Sequence, residues 1–290
     1  MRAGVSRSAC PTYTAWVPLR AALDTAALAL DTAEMSTTSP SKRAARGDYG
    51  VDAPTVVRNL LVGGAAALGL AAVIYFFVDS QPTGLLRAIF RTGLFAGPSW
   101  MLTGLVMIYG SRVRKLQLRD RWLDTLVAEG VLRGEARVLD VGCGRGLMLV
   151  GAARRLNVGR AVGIDLWQTV DQSGNSPEAT QKNAAAEGVA ERIELHSGDA
   201  RKLPFVDGEF DLVVSSWALH NIPDRQGRAQ AVREIARVLK PGGRLYLIDI
   251  QRTREYVGVL ASCGFADIRH RLASFLFVIP SYLIDARRAS

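Results

Sequence analysis

This chain of 290 residues has little of what metal or redox chemistry requires. Its three cysteines, Cys10, Cys143 and Cys263, are odd in number and show no metal-ligand spacing. That excludes a zinc framework or a disulfide scaffold and fits reduced thiols in a cytosolic domain. No bound metal is expected. Histidine is scarce too, at three residues, so few side chains can exchange protons near neutral pH. Acidic residues number 27 against 36 basic ones, for a net charge of +9. The excess is uneven: residues 1–115 hold 12 basic and 6 acidic, a net +6, and residues 116–290 hold 24 and 21, a net +3. The later half therefore lacks the concentrated positive face that phosphate backbones demand, and no nucleic-acid partner is expected.

Charge is missing altogether from two long stretches. Residues 59–78, "NLLVGGAAALGLAAVIYFFV", carry none over 20 residues, which is bilayer length. The glycines and alanines would weaken a soluble helix and suit close helix packing in lipid. Tyr75 and the adjacent phenylalanines fit an interfacial belt. Residues 93–110, "GLFAGPSWMLTGLVMIYG", form a second uncharged run of 18, with a proline that a membrane tolerates. Lys42, Arg43, Arg46 and Arg58 precede the first run, and Arg112, Arg114, Lys115, Arg119 and Arg121 follow the second. Only Arg87 and Arg91 lie between, so the positive-inside rule places both ends in the cytoplasm. The expected layout is a flexible leader over 1–58, a two-span transmembrane hairpin over 59–110 and a cytoplasmic domain over 116–290. The basic residues at 112–121 are expected against anionic headgroups. Within the leader, residues 1–34 read either as a poor signal peptide or as sequence ahead of a translation start at Met35.

From residue 116 onward strand and helix signals alternate, as in an α/β domain. After a helix at about 116–129, strands are expected at 137–141, 161–165, 193–196, 210–214 and 244–250, then near 266–271 and 275–279. Ser176-Pro177-Glu178 opens a helix that closes at Glu187-Gly188, and a helix over 226–239 stops at Lys240-Pro241-Gly242-Gly243. A short helix is expected at 254–263. Seven strands in about 175 residues make one complete sheet.

The first strand runs into "VLDVGCGRG", residues 138–146, with Gly142, Gly144 and Gly146 spaced two apart around Cys143. Three glycines between a strand and a helix over 147–156 let backbone approach a ligand closely. The spacing is G-x-G-x-G, short of the dinucleotide fingerprint G-x-G-x-x-G. Asp140 stands at the strand end, placed to accept from an ammonium group. Asp165 closes the second strand, where a carboxylate grips ribose hydroxyls in nicotinamide and S-adenosylmethionine enzymes alike.

These residues, with "SGDARKLPF" after the third strand, "FDLVVSSWALHNI" at 210–222 and "LKPGGRLYLID" at 239–249, resemble class I S-adenosylmethionine-dependent methyltransferases. The resemblance covers about residues 116–270 and is closest to the group acting on small molecules and lipids. It implies a Rossmann-like seven-stranded α/β sheet, mostly parallel with the last strand antiparallel, helices on both faces and S-adenosyl-L-methionine as cofactor. It also implies roles. Asp140 with the backbone at Gly142 and Gly144 would hold the methionine portion, and Asp165 the ribose. Trp167 or Leu166 would pack on adenine, Asp199 and the Ala200 amide would read its edge, and Ser216 and Trp217 would border the methyl group. His220 is the candidate base for a hydroxyl acceptor, with a stronger claim than His196 or His270. The (D/N)PP(Y/F) signature of many amino-group methylases is absent, and no cysteine set suits arsenic methylation.

Two departures stand out. The connection after Asp165, "LWQTVDQSGNSPEAT", is long, and the region beyond the fifth strand is short. The second leaves the hairpin or the bilayer surface to wall the acceptor site, which points to a small-molecule or lipid acceptor beside the membrane. A nucleotide-dependent oxidoreductase and a non-catalytic cofactor-binding scaffold are the alternatives.

Overall fold

The computed structural model describes residues 46–290, apart from 79–80, 169–173 and 276–278. Most of the expected leader, residues 1–45, lies outside the described residues.

Helix α1, Pro54–Val73, begins five residues before the expected span because Pro54 sits at its first position, where a missing N–H costs nothing. A π-turn over Ile74–Val78 extends it. Helix α2, Gly84–Tyr109, contains the expected second span but starts nine residues earlier. Pro98 lies inside α2, and Ser99 Oγ donates to the Phe95 carbonyl at 2.9 Å beside the gap that a proline leaves in a helix's bonding. A π-turn over Gly110–Arg114 then carries the chain directly into α3, Lys115–Ala128.

α1 and α2 meet through glycines. A Cβ at Gly93 would come within 2.4 Å of the Ala67 carbonyl, one at Gly97 within 2.7 Å of Leu68, and one at Gly64 within 2.7 Å of the Gly97 carbonyl. Helices this close gain dispersion contacts along their backbones. Their outer flanks are open: only 17% of the apolar window in the first helix and 28% of that in the second is buried. Phe77 is 84% exposed and Leu85 77%. A pair of core helices in a soluble domain would be mostly covered. Both are long and apolar enough to cross a membrane.

The rest is a seven-stranded sheet flanked by helices. In chain order come β1 Arg137–Val141, α4 Leu147–Ala153, β2 Arg160–Asp165, α5 Pro177–Ala186, β3 Ile193–Ser197 and β4 Phe210–Ser216. Then follow α6 Arg225–Val238, β5 Leu239–Asp249, α7 Thr253–Ser262, β6 Phe265–Ser274 and β7 Ser281–Arg288. The spatial order is β3-β2-β1-β4-β5-β7-β6, parallel throughout except that β7 runs against both β5 and β6. Val138, Leu139 and Val141 in β1 are fully buried, as the unbroken apolar run requires of a strand covered on both faces. One face packs on Leu123, Leu126, Met148 and Ala184, the other on Val232, Ile235, Tyr256 and Leu260. Ser176 caps α5, its hydroxyl accepting from the Ala179 amide at 3.2 Å.

Three expectations need correction. Of the strand expected near 275–279, the described ends Phe275 and Ile279 lie outside strands, in the connection between β6, which ends at Ser274, and β7, which starts at Ser281; residues 276–278 lie outside the described residues. The described end of the leader is not loose. Tyr49 is buried, its hydroxyl donates to Glu187 Oε1 at 2.6 Å, and the Asp48 amide donates to Asn183 Oδ1 at 2.8 Å. Nor do all the basic residues of 112–121 face outward. Arg112, Arg114 and Arg121 are exposed, whereas Lys115 and Arg119 are 1% exposed. The Lys115 ammonium donates to the Tyr49 carbonyl and to Asp52, and Arg119 pairs with Asp120 and Glu187. Buried charges persist only when paired in this way. Helical periodicity turns two of the five cations toward the strap at 46–53, a long-range contact that no local signal announces.

Candidate active site

Sheet order reverses between β1 and β4, and a cleft of about 850 Å³ opens beyond the carboxyl ends of these strands. This is the position at which open α/β sheets bind ligands. Of the expected residues, Gly142, Cys143, Gly144, Asp165, Leu166, Asp199, Ala200, Ser216, Trp217 and His220 line it. Asp140, Gly146 and Trp167 are not in its lining.

The glycine turn closes inward. The amides of Gly142 and Cys143 both donate to the Ile164 carbonyl, at 2.8 and 3.2 Å, and the Gly144 amide donates to Asp165 Oδ2 at 2.9 Å. Three of its carbonyls are engaged as well: Cys143 accepts from the Gly146 amide, Gly144 from the Thr180 hydroxyl and Arg145 from Asn183, so the turn offers a ligand chiefly its bare surface. Gly142 has φ of 72°, and a Cβ there would stand 2.3 Å from the Ala218 Cβ. Glycine is required at that point on both counts. Gly146 takes φ of 83° at the start of α4, against Thr180 of α5.

Asp140 lies behind the turn at 1% exposure. Its Oδ2 accepts from the Leu149 amide at 2.8 Å, fastening α4 to β1, and its Oδ1 has no partner among the described residues. Burial pushes its carboxyl up to about 7, Asp165 adds to the shift, and the Leu149 amide opposes it. Asp165 also accepts from the Trp167 amide at 2.6 Å and from Asn175 Nδ2 at 3.1 Å. Trp167 packs against the core, and its indole donates to Ser197 Oγ at 2.8 Å, so Leu166, 52% exposed, is the one of the pair facing the cleft. Asp199 is chelated by Arg201 through Nε at 2.9 Å and Nη2 at 2.5 Å, and this hydrogen bonding holds its carboxyl below the usual range. Trp217, at φ 51°, spans the wall between strands, its indole donating to Ser281 Oγ at 3.1 Å.

His220 sits on a short helical turn just past β4. Its Nδ1 lies 2.5 Å from Asp249 Oδ1, and its amide donates to Asp249 Oδ2 at 3.0 Å. Asp249 is fully buried at the end of β5 and also takes the Ile250 amide at 2.8 Å and the Tyr256 hydroxyl at 3.4 Å. A carboxylate on Nδ1 fixes the imidazole and leaves Nε2 as the nitrogen that exchanges protons. Neither His196, paired with Glu194, nor His270, beside Thr253, lines the cleft.

Sequence reasoning missed two residues. Asp249 ends its strand as Asp165 ends β2, a signal that was available. Asn175 lines the cleft from the long connection after β2, 8% exposed, its Oδ1 without a partner among the described residues. Its placement depends on a loop path that composition does not encode. No group of three metal-ligating side chains that could hold an ion occurs among the described residues.

The residues present fit a nucleoside. Asn175 Oδ1 is a buried acceptor awaiting a hydroxyl or amine. Ala218 packs so tightly against Gly142 that the turn's surface is bare backbone.

Residues 139–247 match the family model for a methyltransferase domain. The chain is 37% identical over 140 residues to a demethylmenaquinone methyltransferase of Lactiplantibacillus plantarum, covering 48% of this chain and 55% of that protein. It is 36% identical over 129 residues to the 27-O-demethylrifamycin SV methyltransferase of Amycolatopsis mediterranei, covering 44% of each. The chain thus spans about half the length of the curated relatives it matches. Among solved structures, the [4+2]-cyclase SpnF aligns with a TM-score of 0.48 at 22% identity, over 59% of this chain and 80% of that one.

Proposed function

We propose that this chain, which carries a class I S-adenosylmethionine-dependent methyltransferase domain, is anchored in a membrane by α1 and α2. It methylates a hydroxyl of a small-molecule or lipid acceptor on the cytoplasmic side. The observation that carries the reading is the cleft itself. Gly142, Gly144, Asp165 and Asn175 furnish a nucleoside cradle, and His220 braced by Asp249 stands in the same cavity.

When bound, S-adenosylmethionine supplies a methyl group on a cationic sulfur. The chain's own residues orient and deprotonate. Asp165, held by Gly144, Trp167 and Asn175, keeps lone pairs for the ribose hydroxyls while fixing the loop that surrounds them. Asn175 Oδ1 accepts a further hydroxyl or amine proton. Leu166 covers one face of adenine, and the Ala200 amide reads its edge; Asp199 reads it only by sharing its carboxylate with Arg201. With the Gly142, Cys143 and Gly144 amides committed to β2, the methionine end lies against the surface of the glycine turn. Asp140 supports that turn from behind instead of touching the ligand. Ser216 and Trp217 border the methyl, and His220 Nε2 takes the acceptor's proton as the methyl moves. Alignment supplies several kcal/mol of the acceleration. The base adds on the order of 10² to 10⁴ in rate.

The basic flanks Arg112, Arg114 and Arg121, with Arg46 before α1 and Arg58 near its start, support a cytoplasmic orientation. The test uses the full chain in phospholipid nanodiscs, supplied with labelled S-adenosylmethionine and either membrane-lipid or cytosolic extracts. Label is expected in the lipid extract, and His220→Gln should lower it by roughly 10²-fold or more while S-adenosylhomocysteine binds unchanged. A chain that binds no S-adenosylhomocysteine at millimolar excess refutes the reading.

A further inference from the structure

The cleft is walled by more than the sheet. Ala53, Thr55 and Val56 from the start of α1, Met107 from the last turn of α2, and Ile279 from the β6–β7 connection line the cavity that holds His220. Val56 and Ile279 are large apolar side chains about half exposed. The cations on this side are occupied: Lys115 is taken up by the Tyr49 and Gly50 carbonyls and by Asp52. Apart from the Asp52–Lys115 ion pair and the Thr55 hydroxyl the wall is apolar, and it is continuous with two helices whose outer flanks are uncovered over bilayer length. Apolar lining is common in pockets for water-borne ligands too; what sets this wall apart is its continuity with the uncovered helices. A site loaded from a membrane needs that continuity, since every apolar carbon of the ligand moved into water costs about 0.8 kcal/mol.

We propose that the acceptor is a bilayer-dissolved amphiphile, an apolar tail bearing a hydroxylated head. It reaches His220 sideways through a portal between the first turn of α1, Met107 and Ile279, without crossing bulk water. This rests on the methyl-transfer reading and adds the acceptor's physical class and its route. Methyl transfer would form the bond from the methyl carbon to the head's oxygen as the methyl–sulfur bond of S-adenosylmethionine breaks, leaving S-adenosylhomocysteine, and the hydroxyl proton goes to His220 Nε2. The less polar product returns to the lipid by the same portal.

The experiment uses the full chain in phosphatidylcholine–phosphatidylglycerol vesicles with two photoreactive probes, a diazirine phenol with a hexadecyl tail and the same phenol without one. Crosslinks are mapped by mass spectrometry, and S-adenosylhomocysteine binding is measured on the same preparation. The tailed probe is expected to label Thr55, Val56, Met107 and Ile279 at least about tenfold more than the tailless probe at equal bulk concentration, given the partitioning of its tail. Met107→Trp, and separately Ile279→Trp, should suppress that labelling and leave S-adenosylhomocysteine affinity within about twofold, because neither position contacts the nucleoside cradle. Tailed-probe labelling confined to outward residues such as Phe76 and Leu102, with the tailless probe labelling the cleft, overturns the portal and leaves methyl transfer standing. Loss of S-adenosylhomocysteine binding in the unmodified chain overturns both.

Discussion

Glycine does opposite work in the two halves of this molecule. In the helix pair Gly64, Gly93 and Gly97 keep ordinary helical backbone and serve only by lacking a side chain, so that one helix lies on the other's carbonyls. In the turn after β1, Gly142 takes a conformation that L-residues avoid and also lacks room for a Cβ. The first set shapes an interface between elements; the second shapes a wall of the cleft. Sequence spacing marks the difference: Gly93 and Gly97 stand four apart within one helix, Gly142 and Gly144 two apart at a strand end.

The largest effect that would break this contrast is at the turn. Gly142→Ala meets both a left-handed backbone penalty and a Cβ contact at 2.3 Å, together about 2–5 kcal/mol. S-adenosylhomocysteine affinity should fall by well over about tenfold, read by calorimetry, while crosslinking of α1 to α2 persists. Unchanged affinity would mean that the turn does not face the ligand.

Next comes a charge effect confined to the sheet domain. The folded pKa of Asp140 is raised, to about 7. Between the unfolded carboxylate value and that value the folded state holds a proton that the unfolded chain has released. Its contribution to stability is present below the unfolded pKa and is lost as pH rises through about 7. The loss from pH 5 to pH 8 is on the order of a few kcal/mol. Asp140→Asn keeps an acceptor for the Leu149 amide and removes the ionisation, so the Tm of its ligand-free form should fall less over that range than that of the unmodified chain. Parallel curves would show that Asp140 is ionised in the folded protein.

The helix pair gives the third test. Gly93→Leu drives a side chain into the Ala67 carbonyl, costing about 1–3 kcal/mol as the helices part. Thermal stability in detergent should fall, with S-adenosylhomocysteine affinity nearly unchanged. A matching loss of affinity would show that helix separation reaches the cleft through Val56 and Met107.

Much of the domain was legible because its signals are local. β1 occupies the expected 137–141, and α5 starts behind the expected Ser176 cap. The glycine turn and His220 could be placed in the fold for the same reason, each standing at the end of a strand. What was not legible depends on distant contacts. Lys115 and Arg119 look like headgroup ligands until the strap folds back on them. Ile279 looks like part of a strand until β7 begins later, at Ser281. Asn175 enters the cleft only through the path of its loop.

The strap is where the two halves meet, and it carries the smallest expected effect. Asn183 donates to the carbonyls of both Asp48 and Arg145, and Arg145 pairs with Asp48 at 3.1 Å, so the glycine turn is tied to the segment leading into α1. Tyr49 secures that segment through Glu187, which Arg119 and Arg154 also hold. Burial works against ionisation of Glu187, but the Tyr49 hydroxyl and the Arg119 charge keep its carboxyl below the usual range, so the buried acid stays an acceptor. Tyr49→Phe removes one donor and leaves the Gly47 amide and two guanidiniums in place, a cost of about 0.5–1.5 kcal/mol. In a double-mutant cycle with Glu187→Gln, a coupling above about 0.5 kcal/mol would show that strap and sheet domain act together. Additive effects would mean that the leader's end merely lies on the domain, and that the turn and the helix pair are stabilised independently.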